Sequence, residues 1–258
     1  MPTVNDILHC LEEFAPYELA ESWDNCGLMT GERGQKIDRI LCALDATEDV
    51  IAEAIRRQAQ LVVAHHPLIF TSVRCVTGDD MTGRALRQAI CNNISVICMH
   101  TNADCAQGGV NDALARALKL HHVVNMEAGE NRMLGRVGDL SDPMSPKIFA
   151  AYVKNALGAG GVRYTDGGRM IRRVAVGGGA CGKMMDAAIA KGAEAFVIGD
   201  CSYDIMQRAQ ALGLTLVDAG HYPTENPIAY AFAEHLSHSF PTVCAMVSED
   251  HKDCIQFV

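Results

Sequence analysis

Six side chains able to hold a metal ion or move a proton lie just after apolar runs in this 258-residue chain. His65 and His66, followed by Pro67, close the run Leu61 to Ala64; His100 and Asp104 follow Ile94 to Met99; His221 and Glu225 follow Leu214 to Val217. Imidazole and carboxylate together suit Zn, Mn, Fe, Co or Ni. Neighbouring side chains on an extended segment point to opposite faces, so one ion cannot readily take both His65 and His66. Two ions take one each, and Pro67 fixes the backbone that presents them. Two divalent cations held close together repel in a low-dielectric setting, and an anionic oxygen between them offsets that repulsion. Asp104 and Glu225 are the candidates for it. The expectation is a site for two divalent ions per chain.

Other residues carry less. Gly177-Gly178-Gly179 follows an apolar run and precedes a helical pattern, which fits either a cradle for an anion or a tight turn. Asp200 is read as a helix N-cap, with a supporting role beside a ligand as the alternative. His121 and His122 are placed at a helix end, where the dipole favours positive charge. His9, His235, His238 and His251 are read as solvated. Most of the eleven cysteines sit in apolar runs with no C-x-x-C spacing, so they read as small buried hydrophobes in a reducing compartment; Cys105, beside Asp104, is the one set apart.

Elements must bring these residues together. Continuous apolar runs at residues 40–44, 61–64, 94–99, 173–176, 195–198, 214–217 and 243–247 read as buried parallel strands. Helical patterns fall between them near 47–59, 82–92, 109–119, 146–157, 181–191, 203–212 and 226–237. Before them, Thr3 and Asp6 cap a first helix that stops near Pro16. This alternation predicts an α/β fold with mostly parallel sheets. A shift of 134 residues places Ala46, Ala54, Ile55, Ala59 and Val63 on Ala180, Ala188, Ile189, Ala193 and Val197. Each stretch then continues through a helix and a strand to a histidine four positions before an acid. The chain therefore reads as two similar α/β domains from an internal duplication, residues 1–128 and 129–258, with the last strand free to return to the first half and the metal site between them. A chain of this length buries about 70–75% of its unfolded surface without disulfides or structural metals.

Composition narrows the function. Lys and Arg number 22 against 31 Asp and Glu, a net charge of −9, so nucleic acid is a poor partner. No apolar stretch reaches 18 residues, and Met-Pro-Thr-Val-Asn-Asp lacks the basic and apolar regions of an export signal; the expected location is the cytoplasm, with no membrane partner.

Four ordered motifs span nearly the whole chain: Trp23-Asp-Asn-Cys-Gly-Leu28; His65-His66-Pro67; His100-Thr-Asn-Ala-Asp104 running into Gly108-Gly-Val-Asn-Asp112; and Gly220-His-Tyr-Pro-Thr-Glu225. In these the chain resembles the Nif-three-like dinuclear metal centre proteins, often named GTP cyclohydrolase 1 type 2. The resemblance implies metal ligands at His65, His66, Asp104, His221 and Glu225, with Glu225 bridging and His100 moved back to orient a ligand or a water. The leading expectation built on these residues sets His66, Asp104 and Glu225 on one ion and His65, His221 and Glu225 on the other. The resemblance further implies two α/β domains and a ring-shaped homohexamer with sites facing a cavity. The implied activity is a metal-dependent hydrolase that attacks C8 of the GTP guanine ring and releases formate. Ala103, Cys105 and the pair Tyr203-Asp204 depart from the family pattern without removing a ligand; they bear on pocket shape. A non-enzymatic metal-binding ring acting as scaffold or regulator, and a hydrolase of another phosphoester or cyclic amide, are the competing expectations.

Overall fold

The structure is a computed structural model that describes residues 1–126 and 134–258. Its contacts divide the chain into two compact units, Met1–Gly109 with Ile228–Lys252, and Val110–Pro227 with Asp253–Val258. The expected junction between residues 128 and 129 lies outside the described residues.

In the first unit, α1 (Val4–Phe14) opens with the expected capping box: Asp6 N–H donates to Thr3 Oγ1, and the Asp6 carboxylate accepts from Thr3 N–H at 2.7 Å. After it come β1 (Gly27–Thr30), β2 (Arg39–Asp45), α2 (Glu48–Arg56), β3 (Leu61–His66), α3 (Met81–Cys91), β4 (Ser95–Cys98) and the short α4 (Thr101–Cys105). The unit is completed by α10 (Pro227–Ser239) and β11 (Cys244–Val247). The strand order is β1-β4-β3-β2-β11, parallel throughout except for β1, which runs antiparallel along β4. Both faces of the central strands are buried: Leu41, Ala43, Val62 and Val96 pack into one cluster, and Ile40, Cys42, Leu61 and Val63 on the alternate positions are inaccessible as well. Burial on both faces is why these runs are continuously apolar instead of alternating.

The second unit contains α5 (Val110–Ala117), β5 (His121–Asn125), β6 (Arg136–Met144), α6 (Pro146–Leu157), β7 (Arg163–Tyr164) and β8 (Ile171–Val176). It continues through α7 (Met185–Ala190), β9 (Ala195–Ile198), α8 (Tyr203–Ala211), β10 (Thr215–Asp218) and α9 (His221–Glu225). Its strand order is β5-β6-β8-β9-β10-β7, with β8, β9 and β10 parallel and the other three strands antiparallel to their neighbours. Val174, Val197 and Val217 point into one core, and Ala175, Phe196 and Leu216 into another across the sheet.

His121 and His122 open a strand instead of closing a helix. The helix stops at Ala117, Lys119 turns to φ +51°, and His121 then pairs with Asp139 of β6. No helix among the described residues is long and apolar enough to cross a membrane, and no disulfide joins any of their cysteines. Burial pushes the Cys42 and Cys98 thiols up to about 12, which fits their reading as small hydrophobes, and Cys105 and Cys201 are buried as well; the reading fails for Cys75, Cys91, Cys244 and Cys254, which are exposed, and for Cys10, Cys26 and Cys181, which are half-buried.

One buried carboxylate ties the chain end to this frame. Glu53 on α2 is fully buried and accepts hydrogen bonds from the Ser248 hydroxyl, Glu249 N–H at 3.0 Å, Asp250 N–H at 3.1 Å and Arg57 Nη1 at 2.7 Å. Burial raises its pKa, but these donors outweigh burial and hold it below the usual glutamate value. Glu53→Ala leaves two amides and the Ser248 hydroxyl without this acceptor, while Arg57 keeps the Val247 carbonyl, an expected loss of about 3 kcal/mol in urea unfolding. The stabilisation that Glu53 gives is present above the ordinary pKa of 4.5 and fades as pH falls through its lowered folded value. A loss under about 1 kcal/mol, or one that does not shrink in acid, contradicts this role.

Candidate metal centre

Parallel sheets place ligands at the carboxyl ends of their strands. In the first unit β3 ends in His65 and His66, and His100 and Asp104 lie just beyond β4, on and before α4. Each imidazole there has the same arrangement. Nδ1–H of His65 donates to the Met99 carbonyl at 2.8 Å, that of His66 to Asp45 Oδ1 at 2.7 Å, and that of His100 to Asp24 Oδ1 at 2.8 Å. The tautomer this fixes carries its lone pair on Nε2, the form in which proteins present histidine to a metal. One ligand atom from each of the three rings lies within 4.8 Å of the others, so the expected divergence of His65 and His66 is not found: their rings turn towards one space, and the donors there suit a divalent metal.

The acceptors are built for the task. Parallel register sets Asp45 of β2 directly beside His66 of β3. The same Asp45 carboxylate meets His251 Nε2 at 3.0 Å, so the segment anchored by Glu53 reaches the imidazole cluster. Asp24, with its side chain inaccessible to solvent, also accepts from the Thr101 N–H and hydroxyl. Burial raises the pKa of both carboxylates; hydrogen bonds from His100 and Thr101 to Asp24, and from His251 and His66 to Asp45, outweigh it and hold each well below the carboxylate range.

In the second unit, α9 is only five residues long, and its i, i+4 spacing sets His221 and Glu225 on one face. His221 Nε2 stands 2.9 Å from Glu225 Oε2, while its Nδ1 bonds Asp200 Oδ2 at 2.7 Å. Asp200 follows β9 at φ +51°, a left-handed conformation that aspartate tolerates better than most residues. Space for this comes from Gly199, where a Cβ would lie 2.8 Å from the Gly220 carbonyl and from His221 N.

Several expectations change. Asp200 holds His221 and is not the N-cap of α8, a position taken by Ser202. His251 is buried against Asp45 instead of solvated, because the turn at Glu53 carries it inward, and His235 is half-buried, its Nε2 3.3 Å from Cys10 Sγ and its ring against Phe14. His65, which the sequence reading sets on the other ion from Asp104, faces it at 3.6 Å between Nε2 and Oδ1. The triple glycine is no anion cradle. Its amides already donate to the Val197 carbonyl, Asn111 Oδ1 and Thr224 Oγ1. What the glycines supply is room: a Cβ on Gly179, at φ +62°, would lie 2.1 Å from Glu225 Oε1. Gly179→Ala therefore displaces the Glu225 carboxylate, and Mn(II) or Zn(II) affinity measured by equilibrium dialysis should fall about 10–100-fold, as it does when a ligand loses its support. Unchanged affinity contradicts the placement.

Comparison with known proteins agrees with the motifs. The Duf34/NIF3 (NGG1p interacting factor 3) family pattern matches residues 2–253. A protein of Clostridium perfringens named GTP cyclohydrolase 1 type 2 homolog is 33% identical over 260 residues, covering 99% of each chain. The Helicobacter pylori strain J99 protein named GTP cyclohydrolase 1 type 2 is 32% identical over the full length of both. Among solved structures, a Bacillus cereus protein related to NIF3 superposes with a TM-score of 0.92 at 25% identity, covering 100% of this chain and 99% of that one. The chain belongs to the Duf34/NIF3 family.

Proposed function

We propose that the protein is a hydrolase dependent on two divalent metal ions, with His65, His66, Asp104, His221 and Glu225 as ligands and a purine nucleotide, GTP, as substrate. The observation that carries this reading is the shared tether of His65, His66 and His100, each with Nδ1 held and Nε2 presented beside the others. His221, held at Nδ1 by Asp200, repeats that arrangement next to Glu225. The names of the relatives from Clostridium and Helicobacter supply the substrate. In this reading His65, His66, Asp104, His221 and Glu225 would together hold the ions, with His65 beside Asp104 and His221 beside Glu225. Such imidazole and carboxylate donors suit Zn, Fe, Mn, Co and Ni alike.

Divalent ions supply Lewis acidity, which makes hydroxide available near neutral pH and polarises the bond under attack. The chain's own residues do the rest. Asp45, Asp24 and Asp200 fix the ring planes, so little reorganisation is left for the reaction itself. His100, oriented by Asp24 and spared from ligation, accepts a hydrogen bond at Nε2 from the attacking water and aims it at C8 of the guanine ring. The proposed setting is the cytoplasm, where the cysteines stay reduced.

Protein loaded with Fe, Mn or Zn should release formate from GTP, while Glu225→Gln, which loses the bridging charge, should not. Turnover equal to that variant removes GTP as substrate. Chelation should leave a cooperatively folded protein, since both sheets have apolar cores of their own. Its stability should drop only by the binding linkage, about 4 kcal/mol at a thousandfold excess of ion over Kd. Loss of secondary structure on chelation, followed by circular dichroism, contradicts this.

A further inference from the structure

Beside the imidazole cluster of the first unit stand two large aromatic rings that the fold leaves exposed. Trp23, the only tryptophan in the chain, is 60% accessible and Phe70 is 55% accessible. Their centroids are 5.9 Å apart with planes at 66°, and each lies edge-to-face with His100, at 6.3 and 6.2 Å. The three rings form a triangle, and one corner of it, His100, is 5.2 Å from the His65 ring and 5.6 Å from the His66 ring.

The backbone under these rings is firmly held. Asp24, next to Trp23, is buried and takes hydrogen bonds from His100 and Thr101; Glu21 N–H donates to Thr101 Oγ1 at 2.9 Å. Asn25 Nδ2 donates to the carbonyl of Ile69, the neighbour of Phe70, at 2.6 Å and so joins the two loops. A ring on an anchored loop that remains outside the core has a face available for a guest.

We propose that the exposed sides of Trp23 and Phe70, braced edge-to-face on His100, form an open stacking cage for the planar heteroaromatic ring of the substrate, a purine base. Purine stacks on an aromatic face with little regard to side-chain hydrogen bonding, and the second ring, tilted at 66°, meets its edge. Since His100 belongs to both the cage and the imidazole cluster, a stacked base lies next to the groups that would hydrolyse it. This deepens the hydrolase reading and rests on it for the identity of the base, while the cage itself stands on the ring geometry alone.

Trp23 is its own reporter, because no other tryptophan contributes emission. The experiment titrates metal-loaded full-length protein with guanosine, GTP and ribose 5-phosphate, excites the tryptophan selectively, and measures formate in parallel. Guanosine and GTP should quench Trp23 emission saturably and ribose 5-phosphate should not. Phe70→Ala should raise the half-saturating concentration about tenfold, the scale of one lost stacking partner; its exposure means that truncation leaves the core intact. Equal quenching by ribose 5-phosphate, no saturable quenching by either purine, or Phe70→Ala binding like the parent overturns the cage. So does a change of oligomeric state in Phe70→Ala with unchanged quenching, which assigns these rings to a second copy of the chain. Formate release without quenching sinks the cage and leaves the hydrolase; quenching without formate release does the reverse.

Discussion

The arrangement at His65, His66 and His100 depends on one interaction, an imidazole Nδ1–H given to a fixed acceptor. A histidine otherwise rotates and exchanges tautomers, and a cluster of such rings has no defined donor set. Here a strand-end carbonyl and two carboxylates remove that freedom, and His221 is treated in the same way by Asp200. Most of the surrounding architecture supports those acceptors. Parallel register sets Asp45 against His66, hydrogen bonds from His100 and Thr101 keep Asp24 ionised despite its burial, and Gly199 gives Asp200 its path to His221.

Supports of this kind explain why the strands could be read from sequence better than their partners. Continuous apolar runs gave away β2, β3, β4, β9 and β10, because burial on both faces leaves few polar positions to blur the pattern; in β8 only the buried end, Val174 to Val176, makes such a run. The antiparallel strands β1, β5, β6 and β7 carry no such run. In β6 the residues Asp139, Ser141, Asp142 and Pro143 interrupt it, and in β5 the first four positions are exposed. The candidate residues were visible because chemistry concentrates at strand ends, but the residues that hold them are far away in sequence. Asp24 precedes His100 by 76 positions, and His251 lies beyond the last strand. One signal was within reach. Strands β2 and β3 begin in register at Ile40 and Leu61, so the residue after Leu44 had to stand beside His66.

Glycine has a similar double reading. A run of three glycines before a helix suggests an anion site, yet the same absence of side chains lets a carboxylate come close. The distinction lies in the backbone amides: at Gly177, Gly178 and Gly179 all three already have acceptors within the unit, which leaves clearance for Glu225 as their contribution. Local sequence cannot separate the two uses, since the acceptors Asn111 and Thr224 come from α5 and α9.

The central claim is that tethered imidazoles and acids in this chain grip a pair of cations. Metal content per chain, determined by mass spectrometry on protein purified without chelator and compared with Asp104→Ala, tests it most directly. A stoichiometry near two that falls in the variant is the predicted result; a protein that carries no ion and takes none up from solution contradicts the account.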